Sequence, residues 1–170
     1  MGPLHFQKQL IALERYESAA FVDVNGDGVL DIVSGAWWYE GPDFKKAHRI
    51  YDVPAAGEYY DDFSSIALDV TGNGFPDIVT GGWWGDALRW LENPGREDKP
   101  WQVHEIPGVS NIETTIAADL DGDGVIEILP NTPSAPMQVF RAEAGGLTRY
   151  VISEGNCGHG LGVGDLAGHG

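Results

Sequence analysis

Short apolar runs alternate with polar, glycine-rich segments along the whole chain, and the runs recur in a fixed order. Ala19-Ala20-Phe21-Val22, Ile66-Ala67-Leu68 and Ile116-Ala117-Ala118 each run into an aspartate. Leu30-Asp31-Ile32-Val33-Ser34, Pro76-Asp77-Ile78-Val79-Thr80 and Ile126-Glu127-Ile128-Leu129 run out of the segment that follows. Their length and β-branched content predict strands, with the intervening segment a tight connection between antiparallel neighbours. In the second repeat come next Leu88-Arg89-Trp90-Leu91-Glu92, a turn at Asn93-Pro94-Gly95, and a closing strand at 101–106, which gives four strands per repeat. The closing strand is echoed at 47–50 and 149–152, and once more at 4–11, where the chain starts with a copy that has no preceding partners.

The connections carry the chemistry. Asp119-Leu-Asp121-Gly-Asp123-Gly-Val-Ile-Glu127 places oxygen side chains at positions 1, 3, 5 and 9. Its glycines permit the backbone turns that let them converge on one point, an arrangement suited to a hard divalent cation, and calcium is the expected ion. The ligand set is Asp119, Asp121, Asp123 and Glu127 with the Val125 carbonyl. In the first loop it is Asp23, Asn25, Asp27 and Asp31 with the carbonyl of Val29. The second loop departs from the pattern, with Thr71 and Asn73 at positions 3 and 5. It reads either as a weaker site built on Asp69, Asn73 and Asp77 or as a metal-free turn. The fourth, opening at Asp165, has Ala167 and His169 and is not expected to bind metal. An EF-hand would place Glu at position 12 before a helix; those positions are Ser34, Thr80 and Pro130, preceded by strand-forming runs.

First positions at 23, 69, 119 and 165 give intervals of 46, 50 and 46 residues, a period of stacked or radially arrayed units. The chain stops inside its fourth loop and so reads as part of a longer protein. The formal charge of -16 excludes nucleic acid and anionic membrane surfaces as expected partners. Ten of the 26 acids lie in the four loops, so much of that charge is ligand chemistry. One cysteine, Cys157, excludes an internal disulfide, and no apolar run is long enough to span a membrane. The N-terminus lacks the apolar stretch of a signal peptide; an extracellular or periplasmic location is expected if the chain begins after such a signal, a cytoplasmic one otherwise.

The stretch Phe21-Val-Asp23-Val-Asn25-Gly-Asp27-Gly-Val-Leu-Asp31-Ile-Val-Ser-Gly35 resembles the FG-GAP/VCBS repeat of bacterial proteins and integrin-type β-propellers, and the likeness extends over residues 12–170. It implies an all-β fold, a β-propeller of four-stranded antiparallel blades, with calcium between the first and second strands. This chain would form an incomplete arc of about three and a half blades: an outer strand of the closing blade at 1–11, blades at 12–57, 58–107 and 108–153, and the start of a fourth at 154–170. The remainder of the same propeller would then be a partner. Residues 83–106, with Trp90-Leu-Glu-Asn-Pro-Gly95 and Trp101-Gln-Val-His104, are also similar to a subgroup that includes the propeller domain of aldos-2-ulose dehydratases.

In a propeller, the residues six positions before each loop would begin the innermost strand at the channel mouth opposite the calcium loops. Here they are Glu17, Phe63, Glu113 and His159, with Asp62 alongside. Glu113, His159, Asp62 and Glu17 are therefore the catalytic candidates, and Glu113 and His159 are expected to approach one another from successive blades. Such a ring suits acid–base work on a sugar, although channel mouths collect polar residues without any chemistry. Two function classes follow: a calcium-binding scaffold for a carbohydrate or protein ligand, or the propeller domain of a saccharide lyase or dehydratase, a carbon–oxygen lyase. The six tryptophans are expected between blades, His48 and His104 in structural positions, and Cys157 with His159 falls short of a metal site.

Overall fold

Glycine turns and acid-pinned loops fold the chain into consecutive antiparallel meanders. The computed structural model describes residues 2–97, 99–156, 158–166 and 168. The first sheet contains β1 (Ala20–Val22), β2 (Asp31–Ser34), β3 (Trp37–Glu40) and β4 (Lys46–Arg49) in that order. A small hairpin, β5 (Ala55–Ala56) with β6 (Tyr59–Tyr60), leads to the second sheet of β7 (Ile66–Leu68), β8 (Asp77–Gly81), β9 (Ala87–Glu92) and β10 (Gln102–Pro107). The third is β11 (Thr114–Ala118), β12 (Glu127–Asn131), β13 (Pro136–Glu143) and β14 (Gly146–Asn156). All ladders are antiparallel between sequence neighbours, and no helix occurs among the described residues. The protein is all-β, an incomplete β-propeller.

Two apolar seams join the blades. Val22, Val24, Val33, Trp38, Ile50 and Tyr51 of the first blade meet Ile78 and Leu91 of the second. On the other side of the second blade, Val79, Leu88 and Trp90 meet Val109, Ile112, Ile128 and Phe140. Because side chains alternate along a strand, adjacent Ile78 and Val79 serve opposite seams, and β8 is buried throughout. Burying an aliphatic side chain of this size stabilises by roughly 1.5–3 kcal/mol, so the middle blade, clamped on both faces, is the best-anchored part of the arc.

The termini depart from the four-strand pattern. Residues 4–11 join no sheet; Gln9 Nε2 instead donates to the Asp43 carbonyl at 3.0 Å. The expected start of a fourth blade forms no strand of its own among the described residues, and 154–156 extend β14.

The tryptophans divide. Trp38 and Trp90 are buried in the seams, and each stacks on the histidine directly across the ladder, at 4.0 Å from His48 and 3.8 Å from His104. Each histidine is tied through Nε2 to a glutamate, Glu40 at 3.0 Å and Glu92 at 2.8 Å. These histidines are structural, and Trp101 also packs on the first seam. Trp83 and Trp84 lie elsewhere, on the connection between β8 and β9.

Candidate functional site

The position-1 aspartate of every loop is a turn-forming cap. Asp23 accepts from the N–H groups of Asp27 and Gly28, Asp69 from Gly72, Asn73 and Gly74, Asp119 from Gly122 and Gly124, and Asp165 from Gly168. The glycines at the fourth position, Gly26, Gly72, Gly122 and Gly168, all have φ between 69° and 76°, where a side chain would be strained. Loop shape is thus encoded by one carboxylate and its glycines even in the fourth loop, whose Ala167 and His169 lie outside the described residues, as does Cys157.

Position 9 separates the loops. Asp31 is buried and both its oxygens are engaged, by Val24 N–H at 2.9 Å and Gly41 N–H at 2.8 Å. Asp77, equally buried, accepts from Val70, Thr71 and Asn93 N–H groups. Burial raises its pKa, while those backbone donors oppose the rise. In both blades the acid clasps the loop to the start of the hairpin after β3 or β9. In loop two, Asn73 also turns its amide away from the loop centre, donating to the Asn93 carbonyl at 3.1 Å. Hydrogen bonds therefore close this loop as a glycine turn.

Loop three is different. Glu127 accepts from Leu120 N–H through Oε2, but its Oε1 is buried and has no hydrogen-bond donor. Oxygens of Asp119, Asp121 and Glu127 lie within 4.8 Å of one another, the one such group of acids, histidines or cysteines among the described residues. A divalent cation fits this donor set, because it would satisfy the orphaned oxygen and the mutual repulsion together. Asp119, Asp121 and Glu127 would hold it. Asp123 is drawn aside, one oxygen accepting from Val125 N–H and the other paired with Arg141. Loop one, expected to match loop three, brings no three carboxylates together: Asn25 and Asp27 bond to each other, Asp27 also accepts from Val29 N–H, and Asp31 faces the hairpin.

Arg141 was not singled out in the sequence. Its guanidinium also lies 3.4 Å from both Asp121 Oδ2 and Glu127 Oε1, and it holds the Asp123 carboxyl below the usual carboxylate range. It stands directly across the ladder from Glu127. By register, the equivalent residues of the earlier blades are Glu40 and Glu92, so aligning the repeats exposes a charge reversal. A tethered cation beside the loop opposes a mobile one. Arg141→Ala is expected to tighten calcium binding by roughly thirtyfold, the factor for removing one positive charge about 4 Å from a divalent ion in a water-like medium. Titration calorimetry checks this, and unchanged affinity would show that the guanidinium moves away without cost.

At the opposite end of the strands from the acidic loops, His159 Nδ1 lies 2.9 and 3.0 Å from the two carboxylate oxygens of Glu113. The structure brings these two together and keeps the other two catalytic candidates apart. Glu17 is exposed. Asp62 is buried beneath the surface, accepting from the hydroxyls of Ser18 and Tyr51, both at 2.8 Å. Burial pushes the Asp62 carboxyl up, and burial followed by Asp62 raises the Tyr51 phenol. Neighbouring Asp61 is also buried and pairs with buried Arg89 at 3.0 Å; Asp61 Oδ1 accepts from Trp84 N–H at 2.8 Å. Above it Trp84 is 45% exposed and Tyr59 56%, their rings 5.4 Å apart, with Phe63 edge-on to Trp84. Trp83 stacks toward His159 at 6.1 Å. The signal for this group was the bracketing of Trp83 and Trp84 by Gly81, Gly82 and Gly85.

Residues 69–129 match the profile of the family described as FG-GAP-like repeat, from the first aspartate of loop two into the strand leaving loop three. No curated protein and no solved structure matches the chain.

Proposed function

We propose that this chain is a calcium-clasped propeller scaffold that presents a ligand surface at the end of its strands remote from its calcium loops. The observation supporting the metal is Glu127 Oε1, buried without a donor and facing Asp119 and Asp121. Calcium there would stabilise the loop because the unfolded chain offers no converged ligands. Loop one is the second proposed site, and loop two a turn that needs no ion. A protein melted in chelator and then in excess calcium is expected to gain stability, about 2.7 kcal/mol when the ion is at one hundred times its dissociation constant. Asp121→Ala should remove much of that gain and Asn73→Ala little. An unchanged melting temperature would sink the metal reading, and equal losses would show that the ranking of the loops is wrong.

The ligand in this reading is a carbohydrate or a protein. A carbon–oxygen lyase acting on a saccharide, as the likeness to the aldos-2-ulose dehydratase subgroup implies, is the second reading. It rests on the Glu113–His159 pair, in which Glu113 can orient the imidazole and leave Nε2 free to move a proton. An oligosaccharide that is bound and recovered without an unsaturated product would favour the scaffold.

A further inference from the structure

We infer that the loop between β8 and β9 is a preformed shelf for a neutral saccharide, with Trp84 and Tyr59 as the stacking surface and the Glu113–His159 pair as the polar wall. The inference rests on the scaffold reading and names its ligand class and site.

Large aromatic rings left half-exposed need a reason, and here the chain spends buried charge and glycine to hold them. Asp61, 2% exposed, fixes the Trp84 backbone and is itself fixed by Arg89, 4% exposed. A side chain at Gly82 would meet Asp61 at 2.3 Å, and one at Gly85 would meet Asp61 at 2.1 Å and Arg89 at 2.3 Å, so only glycine lets the loop sit on this ion pair. The far end of the loop is tied down by Asp86, whose carbonyl accepts from Val109 N–H and whose carboxylate accepts from Ser110 N–H at 2.7 Å. A loop anchored at both ends presents its rings at little entropic cost on binding.

The surface composition selects the ligand. Tyr59 and Trp84 stack on one another, their planes 29° from parallel, and the ring surface that this contact leaves exposed is of sugar-ring size. Trp83, next to Trp84 in the loop, stacks toward His159, which with Glu113 supplies a donor or acceptor and a carboxylate. Flat apolar faces with a few convergent polar groups match a ring that has C–H faces and hydroxyl edges. Charge narrows the class further. A chain at -16, with an exposed carboxylate on the shelf, repels uronate or sulfated chains, which leaves neutral sugars.

The test uses the full chain in calcium, with an array of neutral and uronate-bearing oligosaccharides followed by calorimetry with the best neutral binder; cellohexaose and maltohexaose are the first probes. Neutral oligosaccharides are expected to bind and to change tryptophan fluorescence. Trp84→Ala should weaken binding at least tenfold, Trp84→Phe should restore most of it, and both should melt like the parent. Uronate-bearing chains should bind more weakly. Absence of neutral binders, or binding indifferent to Trp84→Ala, overturns the shelf, as does preference for acidic chains. A calcium-dependent melting shift in the same preparation shows whether the scaffold reading survives that failure.

Discussion

Arg89→Met is expected to destabilise the protein by about 3–5 kcal/mol, because it strands the Asp61 carboxylate in the interior. With roughly 2–4 °C per kcal/mol for a domain of this size, the melting temperature should fall by on the order of 10 °C. Arg89 is 4% exposed and bonds through Nη1 to Asp61 and through Nε to Glu105. Burial works against its charge, but the hydrogen bonds to Glu105 and Asp61 outweigh that and raise its pKa. The partners are not equivalent, since the Glu105 side chain is 58% exposed and water can replace its bond. Glu105→Gln should therefore cost less than about 1 kcal/mol, as for a solvated pair. Asp61→Asn keeps an acceptor for Trp84 N–H and removes the charge, so combining it with Arg89→Met should recover at least half of the loss. Denaturant melts of the two single variants and the pair measure the coupling directly. Additive losses, or a loss below about 1 kcal/mol for Arg89→Met, would mean that water reaches Asp61.

Asp77→Ala and Glu127→Gln should separate clasp from ligand. Asp77→Ala leaves Val70 and Asn93 N–H without their acceptor. At roughly 1–3 kcal/mol for each buried donor, the variant should lose about 2–6 kcal/mol, equally in chelator and in calcium. Glu127→Gln keeps an oxygen for Leu120 N–H and should cost about 1 kcal/mol or less in chelator. It replaces the buried carboxylate that faces Asp119 and Asp121, and should therefore abolish most of the calcium-dependent gain. Paired melts of both variants decide this. A calcium response lost with Asp77→Ala and kept with Glu127→Gln would place the main site in loop two.

The repeats were legible because their signals are local. An aspartate that caps a turn, glycines at positive φ and an acid eight residues after the first belong to one short segment, so the three full loops and their flanking strands could be placed from residue order. The stacked Trp38–His48 and Trp90–His104 pairs were half legible, as recurring residues whose partners were unnamed. Expecting all six tryptophans between blades failed at Trp83 and Trp84, because a strand residue and a connection residue look alike in sequence and only the turn after β8 carries these two out of the seam.

The sequence alone therefore determined the all-β class, the four-strand period and the position of each acidic loop. It also carried the pairing of Glu113 with His159, since equivalent positions of successive blades become neighbours once the repeats are arrayed. Tertiary structure decided which carboxylates turn inward. Asp31 and Asp77 reach hairpin N–H groups, whereas the longer Glu127 keeps one oxygen without a hydrogen-bond donor, facing only the ion pair with the arginine across the ladder. It also decided that Asp61 and Arg89, 28 residues apart, meet beneath an exposed aromatic loop. The physical reason is range: turn chemistry acts within a few residues, while burial, ion pairing and the direction of a carboxylate depend on what the next strand and the next blade bring alongside.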